Sequence, residues 1–146
     1  MKKFEIKIYV KTSLCGTGIR NGSYAAIVEC QTSKGPVTRE ITGKEESTTY
    51  YRSVLLGIVK ALEILNTPCS VTIYTDCTYI KNIAERGSPE SWRRSEWKKP
   101  SGEEVKNREL WQQFLEQMDK HIIAFHFSRH NDYVKRLKEL LKEKER

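Results

Sequence analysis

Apolar positions change period along this chain, and the changes mark its elements. Over residues 4–10 they alternate, with Phe4, Ile6, Ile8 and Val10 on one side, the period-two pattern of a strand. Residues 24–31 (YAAIVECQ) read as a second strand and residues 37–41 as a third, with SLCGTGIRNG and Gly35-Pro36 as the turns between them. Three short strands joined by turns predict an antiparallel meander. The period then lengthens. After Ser47-Thr48-Thr49, a polar helix start, apolar residues recur at Tyr51, Val54, Leu55, Ile58, Leu62 and Leu65, and Asn66 with Pro68 closes the helix.

Residues 71–75 return to strand, and residues 77–85 form a short helix closed by Gly87. Leu110, Trp111, Phe114, Leu115 and Met118 make a helical stripe, residues 122–127 a fifth strand, and residues 133–146 a closing helix with Val134, Leu137 and Leu141 on one face. Between them, residues 88–106 (SPESWRRSEWKKPSGEEVK) are a polar, basic, aromatic-studded excursion. The order β-β-β-α-β-α-α-β-α predicts an α/β domain: a five-stranded mixed sheet with helices on both faces. The chain shows no internal repeat and no linker long enough to divide its 146 residues, so a single domain over 1–146 is expected.

Charge narrows the partners. The formal net charge is +7 and 31% of the residues are charged, which points to nucleic acid or another polyanion. No apolar run reaches the ~20 residues of a membrane span, so no membrane partner is expected. The start, MKKFEIKIYVK, lacks the apolar block of a signal peptide. Cys15, Cys30, Cys69 and Cys77 include no C-x-x-C pair, so neither a zinc site nor a redox dithiol is suggested, and they suit small buried residues in a reducing cytoplasm. His121, His126 and His130 do not make a metal site by spacing. No cofactor is expected from these residues.

One acid stands out. In IYTDCTYIKNI a β-branched and aromatic run stops at Asp76, and an acid at the end of a buried strand calls for a metal, a proton or a partner. YTDCTYI resembles a strand of the type I ribonucleases H that ends in Asp. IYVKTSLCGTG resembles that family's first strand and turn, and RSVLLGIVKALEIL its first helix. WKKPSGEEVKNRELW resembles the stretch in which a basic, Trp-bearing handle leads into a helix. The resemblance covers nearly the whole chain and implies the ribonuclease H fold.

Active members of that family hold two divalent ions around a scissile phosphate with four carboxylates. Such a pair activates a water and steadies the leaving oxygen, and hard oxygen ligands are what hold it. At the matching positions this chain has Lys11, Val54 and Lys138; only Asp76 remains, as a remnant. Asp76, Asp119 and Asp132 are its only aspartates. Lys11 is expected to neutralise Asp76, since an ammonium can stand where a metal would. Asp132, in SRHNDYV beside His130, is either a relocated carboxylate or, with Asn131, the cap of the last helix. Glu45 and Glu46 either reach in from the turn before the first helix or are solvated loop charges.

The binding equipment is fuller. Trp92, Arg93, Arg94, Trp97, Lys98 and Lys99 mix bases with aromatics, which suits a sugar-phosphate track; alternatively Trp92 and Trp97 pack the handle on its neighbouring helix. Trp111 is a core residue by its spacing. Thr12, Ser13, Cys15 and Arg52 match family positions near the minor groove. The expectation is therefore a ribonuclease H-like protein with a degraded site that binds an RNA–DNA hybrid or duplex without cutting it. The alternatives are a weak ribonuclease H, needing magnesium or manganese and using Asp76 and Asp132, and a protein-interaction scaffold with a protein partner.

Overall fold

The computed structural model describes residues 3–145; the predicted closing helix ends at Arg146, outside the described residues. Five strands form one mixed sheet: β1 (Phe4–Thr12), β2 (Arg20–Thr32), β3 (Gly35–Thr48), β4 (Cys69–Thr75) and β5 (Ile122–Phe127). The spatial order is β3-β2-β1-β4-β5. The first three strands are antiparallel, while β1 pairs β4 and β4 pairs β5 in parallel. The helices are α1 (Tyr50–Glu63), α2 (Thr78–Glu85), α3 (Ser88–Arg94), α4 (Arg108–Lys120) and α5 (Val134–Glu145).

Alternation along β1 and β2 divides the core in two. Ile6, Ile8 and Val10 face α1, where Val54, Leu55, Ile58 and Leu62 bury the apolar stripe of that helix. On the opposite face Tyr9, Ala25 and Ile27 pack against Leu137, Leu140 and Leu141 of α5. Helices thus cover both faces, as the pattern predicts. Gly57 allows the close approach of α1: a Cβ there would lie 2.9 Å from Val10 Cγ2, nearer than carbon atoms pack. Thr49 caps α1, its side chain accepting the Arg52 N–H, and Asn131 opens the turn into α5 by accepting the Tyr133 N–H at 2.9 Å.

Three features depart from the predicted elements. β3 runs to Thr48 rather than Ile41, and β2 starts at Arg20 rather than Tyr24. Their extra residues are polar, and the ladder between them continues through the pairs Gly22–Glu45 and Ser23–Lys44. Hydrophobic alternation cannot reveal a polar edge strand. The excursion holds a short helix, α3, opened by Pro89 in its first turn after Gly87 at φ 73°. Phe4, counted with the buried side of β1, is exposed where that strand begins.

A buried histidine ties α4 to β4. His121 Nδ1 accepts the Cys69 N–H at 3.0 Å, which requires a neutral ring, while Nε2 and the nearby-in-sequence Gln117 Oε1 have no partner among the described residues. Burial, helped by Lys120 and Lys3, pushes the His121 pKa below its usual 6.5. Protonation therefore favours the unfolded chain. This contribution to stability is complete above pH ~6.5 and is lost as pH falls through the lowered native value. Denaturant unfolding at about pH 7.5 and about pH 5 should show a larger loss for the native protein than for His121→Asn, whose side chain does not titrate there. Equal losses would mean that His121 takes up its proton as readily folded as unfolded.

Candidate nucleic-acid interface and the site at Asp76

Parallel pairing aligns Tyr9 with Tyr74, so two residues further on Lys11 and Asp76 stand together at the carboxyl ends of neighbouring strands. Lys11 Nζ lies 3.7 Å from Asp76 Oδ2, with the two side chains 26% and 30% exposed. Asp76 is therefore not a sealed-in acid, because its strand ends at Thr75 and the carboxylate reaches the rim. Beside the pair is a cavity of about 110 Å³ lined by Lys11, Cys15, Tyr50, Val54, Thr75 and Asp76. Val54 is 2% exposed and belongs to the main core. Burial, with Cys77 beside it, raises the Tyr50 pKa, so its hydroxyl stays protonated.

These residues do not fit a pair of divalent cations. A metal pair needs several hard oxygen donors, and this cavity offers one carboxylate already opposite an ammonium. Among the described residues no three His, Cys, Asp or Glu side chains cluster as a metal would require. Asp132 is exposed on the turn before α5 and does not line the cavity, nor does Lys138, exposed on α5. Asn131, not Asp132, accepts a backbone N–H just ahead of α5, from Tyr133. Glu45 is held by Arg52 at 2.9 Å, and Glu46 is exposed.

Several candidate binding residues have structural partners instead. Arg52 is clamped between Glu45 and Glu109 and is not a free cation. Thr12 is buried; its hydroxyl bonds Ser53 Oγ at 2.7 Å and the Ser23 carbonyl at 2.9 Å, so it holds the turn rather than a groove. Ser13 Oγ accepts the Ser23 N–H at 3.0 Å from an exposed position. Cys15 is exposed at the cavity rim.

The handle is a pinned clip. Trp97 is 5% exposed and packs into the core with Trp92 and Trp111 nearby, at ring separations of 6.4 Å (Trp92–Trp97) and 5.9 Å (Trp92–Trp111). Of the two readings of Trp97, stacking on a ligand or packing the handle, its covered ring fits the packing one. The backbone turns it inward through consecutive left-handed residues, Glu96 at φ 58° and Trp97 at φ 63°. Main-chain bonds from Trp97 N–H to Trp92 O (2.7 Å), Val105 N–H to Trp97 O (2.9 Å) and Lys99 N–H to Glu103 O (2.8 Å) close the clip. Arg93, Arg94, Lys98 and Lys99 are left exposed. The nine ion pairs found among the described residues include none of the four.

A groove of about 240 Å³ separates the handle from the glycine turn and the starts of α1 and α2, with Trp92, Lys99, Lys106 and Asn107 along it. Two tyrosines that the sequence did not mark as functional stand there. Tyr51, counted in the core stripe of α1, is 41% exposed, and Tyr79 is 50% exposed. Their rings stack at 4.1 Å with a 20° interplanar angle. Tyr51 lies in the first turn of α1 and Tyr79 in the first turn of α2, where both helices overrun the core.

Known proteins share this architecture. A family model described as RNase H matches residues 4–135. The ribonuclease H of Nitratidesulfovibrio vulgaris strain Miyazaki F is 37% identical over 108 residues, which cover 74% of this chain and 67% of that protein. LC9-RNase H1, a type 1 RNase H with the type 2 active-site motif, superposes with a TM-score of 0.80 at 22% identity over 98% of this chain and 72% of its own. LC11-RNase H1, solved in complex with RNA/DNA hybrid, gives 0.58 at 17% identity over 94% of each chain.

Removing the lysine tests the pairing at Asp76. Lys11→Met should cost on the order of 1 kcal/mol of unfolding free energy, because a part-exposed carboxylate loses its partner but keeps some water. Lys11→Met with Asp76→Asn should recover part of that loss. Strict additivity of the two substitutions would show that the charges do not interact.

Proposed function

The chain belongs to the ribonuclease H family, and we propose that within it this protein holds nucleic acid, an RNA–DNA hybrid or a duplex, without cutting it. One observation carries the proposal: Lys11 stands 3.7 Å from Asp76 where the family resemblance calls for a second carboxylate. An ammonium supplies positive charge but no open coordination position. It does not coordinate a water and lower its pKa as a divalent ion does, and it cannot clamp attacking and leaving oxygens between two centres. Val54, buried where a further acid would be needed, leaves no ligand on α1.

Binding has separate support. Four bases that join no ion pair among the described residues stand exposed on a handle whose backbone the buried Trp97 anchors. LC11-RNase H1, which shares the fold, has been solved with a hybrid. Duplexes of A-like form are read by shape and 2′-hydroxyls, so low sequence specificity is expected. In this reading the compartment is the cytoplasm, which cysteines left free of disulfides suit.

A second reading, a weak metal-dependent ribonuclease H, is favoured by the 37% identity to a protein of that name. Magnesium and manganese titrations with a labelled hybrid separate the two. The native protein should leave the hybrid intact, and cleavage abolished by Asp76→Asn would overturn the proposal. Lys11→Asp, Val54→Glu and Lys138→Asp together should be needed before any cleavage is gained. Binding should weaken steeply with salt, because each phosphate contact releases counterions. Changing Arg93, Arg94, Lys98 and Lys99 to Gln should flatten the log–log salt slope by about 0.9 for each base that meets a phosphate. The fold should survive, since exposed charges contribute little to stability. A native protein that binds no hybrid or duplex at low salt is a scaffold instead.

A further inference from the structure

We propose that the Tyr51–Tyr79 pair is a stacking platform for an unpaired base, so that the preferred ligand is a hybrid or duplex ending in a single strand. The inference rests on the nucleic-acid reading above and narrows it to a substrate class. Two tyrosines from different helices, each about half exposed, hold their rings face to face at 4.1 Å. Tyr50 extends the aromatic cluster at 5.5 Å from Tyr51. Neither Tyr51 nor Tyr79 places its hydroxyl in a hydrogen bond among the side-chain bonds of the described residues, so the pair is not held as a polar element of the fold. The pair opens onto the groove that also carries Lys99 and Lys106, both exposed.

That combination selects for an unpaired nucleotide. Inside a duplex every base is covered above and below by its neighbours, and a protein ring meets only sugar and groove edges. A base in a single strand offers a free π-face, and stacking on an aromatic side chain recovers what it lost on leaving the helix. Any base can do so, which keeps the site tolerant of sequence. Lys99 and Lys106 supply the charge for the phosphates on either side. Lys99 also belongs to the clip of handle bases, so a duplex lying along the handle would deliver its frayed or extended end to the tyrosines.

Fluorescence anisotropy with three labelled hybrids tests this at one salt concentration. One is blunt, one carries an overhang of about five thymidines, and one carries the same overhang made of abasic sites, so that the last two have equal phosphate charge. The native protein should bind the thymidine overhang about 5- to 150-fold more tightly than the abasic one, the range expected for one stacked base. Tyr51→Ala and Tyr79→Ala should bring that ratio toward one without changing the salt slope, whereas Tyr51→Phe and Tyr79→Phe should keep it. Circular dichroism and melting should confirm that the alanine variants fold, and the phenylalanine variants hold the test open if they do not.

Equal affinity of the native protein for thymidine and abasic overhangs, with the blunt hybrid still bound, overturns the platform and leaves nucleic-acid binding standing. A ratio that persists in both alanine variants overturns it as well. Failure to bind any of the three hybrids at low salt removes the platform together with the reading it rests on.

Discussion

The parallel pairing of β1 with β4 is the constraint on which the rest depends. Two strands far apart in sequence are made neighbours, with their carboxyl ends side by side, and the crevice beyond such ends is where open α/β sheets place their ligands. One face of the pair carries Ile6, Ile8 and Val10 with Val71 and Ile73 into the α1 core. The other carries Tyr9 against Tyr74, with ring centroids 4.6 Å apart, under the start of α5. Tyr133 crosses onto Tyr9 and donates its hydroxyl to the buried Glu29, which also accepts from Gln31 at 2.6 Å. Burial, then the Glu29 charge, lifts the Tyr9 pKa to about 12. The same register that builds both cores thus delivers Lys11 and Asp76 to one rim.

At that rim the choice of cation decides the chemistry. A divalent ion and an ammonium both neutralise a carboxylate, but only the metal has exchangeable positions and a Lewis acid's pull on bound oxygen. The ammonium is tethered, brings only donors, and needs no further acids around it. A site centred on it can lose its other carboxylates without leaving a buried charge unpaired. Val54 lies in the core beneath that rim. An apolar side chain there adds to packing against Val10 and Leu55, where an acid without a metal would have to be desolvated alone.

Patterning made most of the architecture legible because the α1 stripe, the β1 alternation and the apolar runs of β2 and β4 are driven by burial, which leaves its mark in the sequence. Thr49 as a cap and Asp76 at a strand end were legible for the same local reason. What escaped is non-local or polar. The outer half of β3 carries Thr42, Lys44 and Glu45, and its place comes from the ladder to β2 rather than from its own side chains. Arg52 was placed near a minor groove by resemblance alone, and one of the two acids that clamp it, Glu109, is 57 residues away. Tyr51 and Val54 share an apolar stripe on paper, but the buried residues of α1 start at Ser53, so the same periodicity gives one exposed and one buried side chain. Trp97 was ambiguous in principle: a tryptophan among bases is equally suited to stack on a ligand or to anchor the segment that presents them.

Its burial assigns it the second role, and the energetics show why that is worth having. A surface segment with four bases and one intervening acid repels itself and gains entropy by fraying. Holding it costs more here, because Glu96 and Trp97 both adopt left-handed backbone, at about 1–2 kcal/mol for each such non-glycine residue. A buried indole is among the few side chains large enough to offset that, since tryptophan buries 150–250 Å² at about 25 cal/mol per Å². The clip bonds from Val105 and Lys99 then satisfy the main chain that the turn would otherwise expose. Trp97 acts on the handle from inside the fold: it anchors the turn from which the exposed charges project. Lys99, two residues after it, lines the groove where Tyr51 and Tyr79 stand.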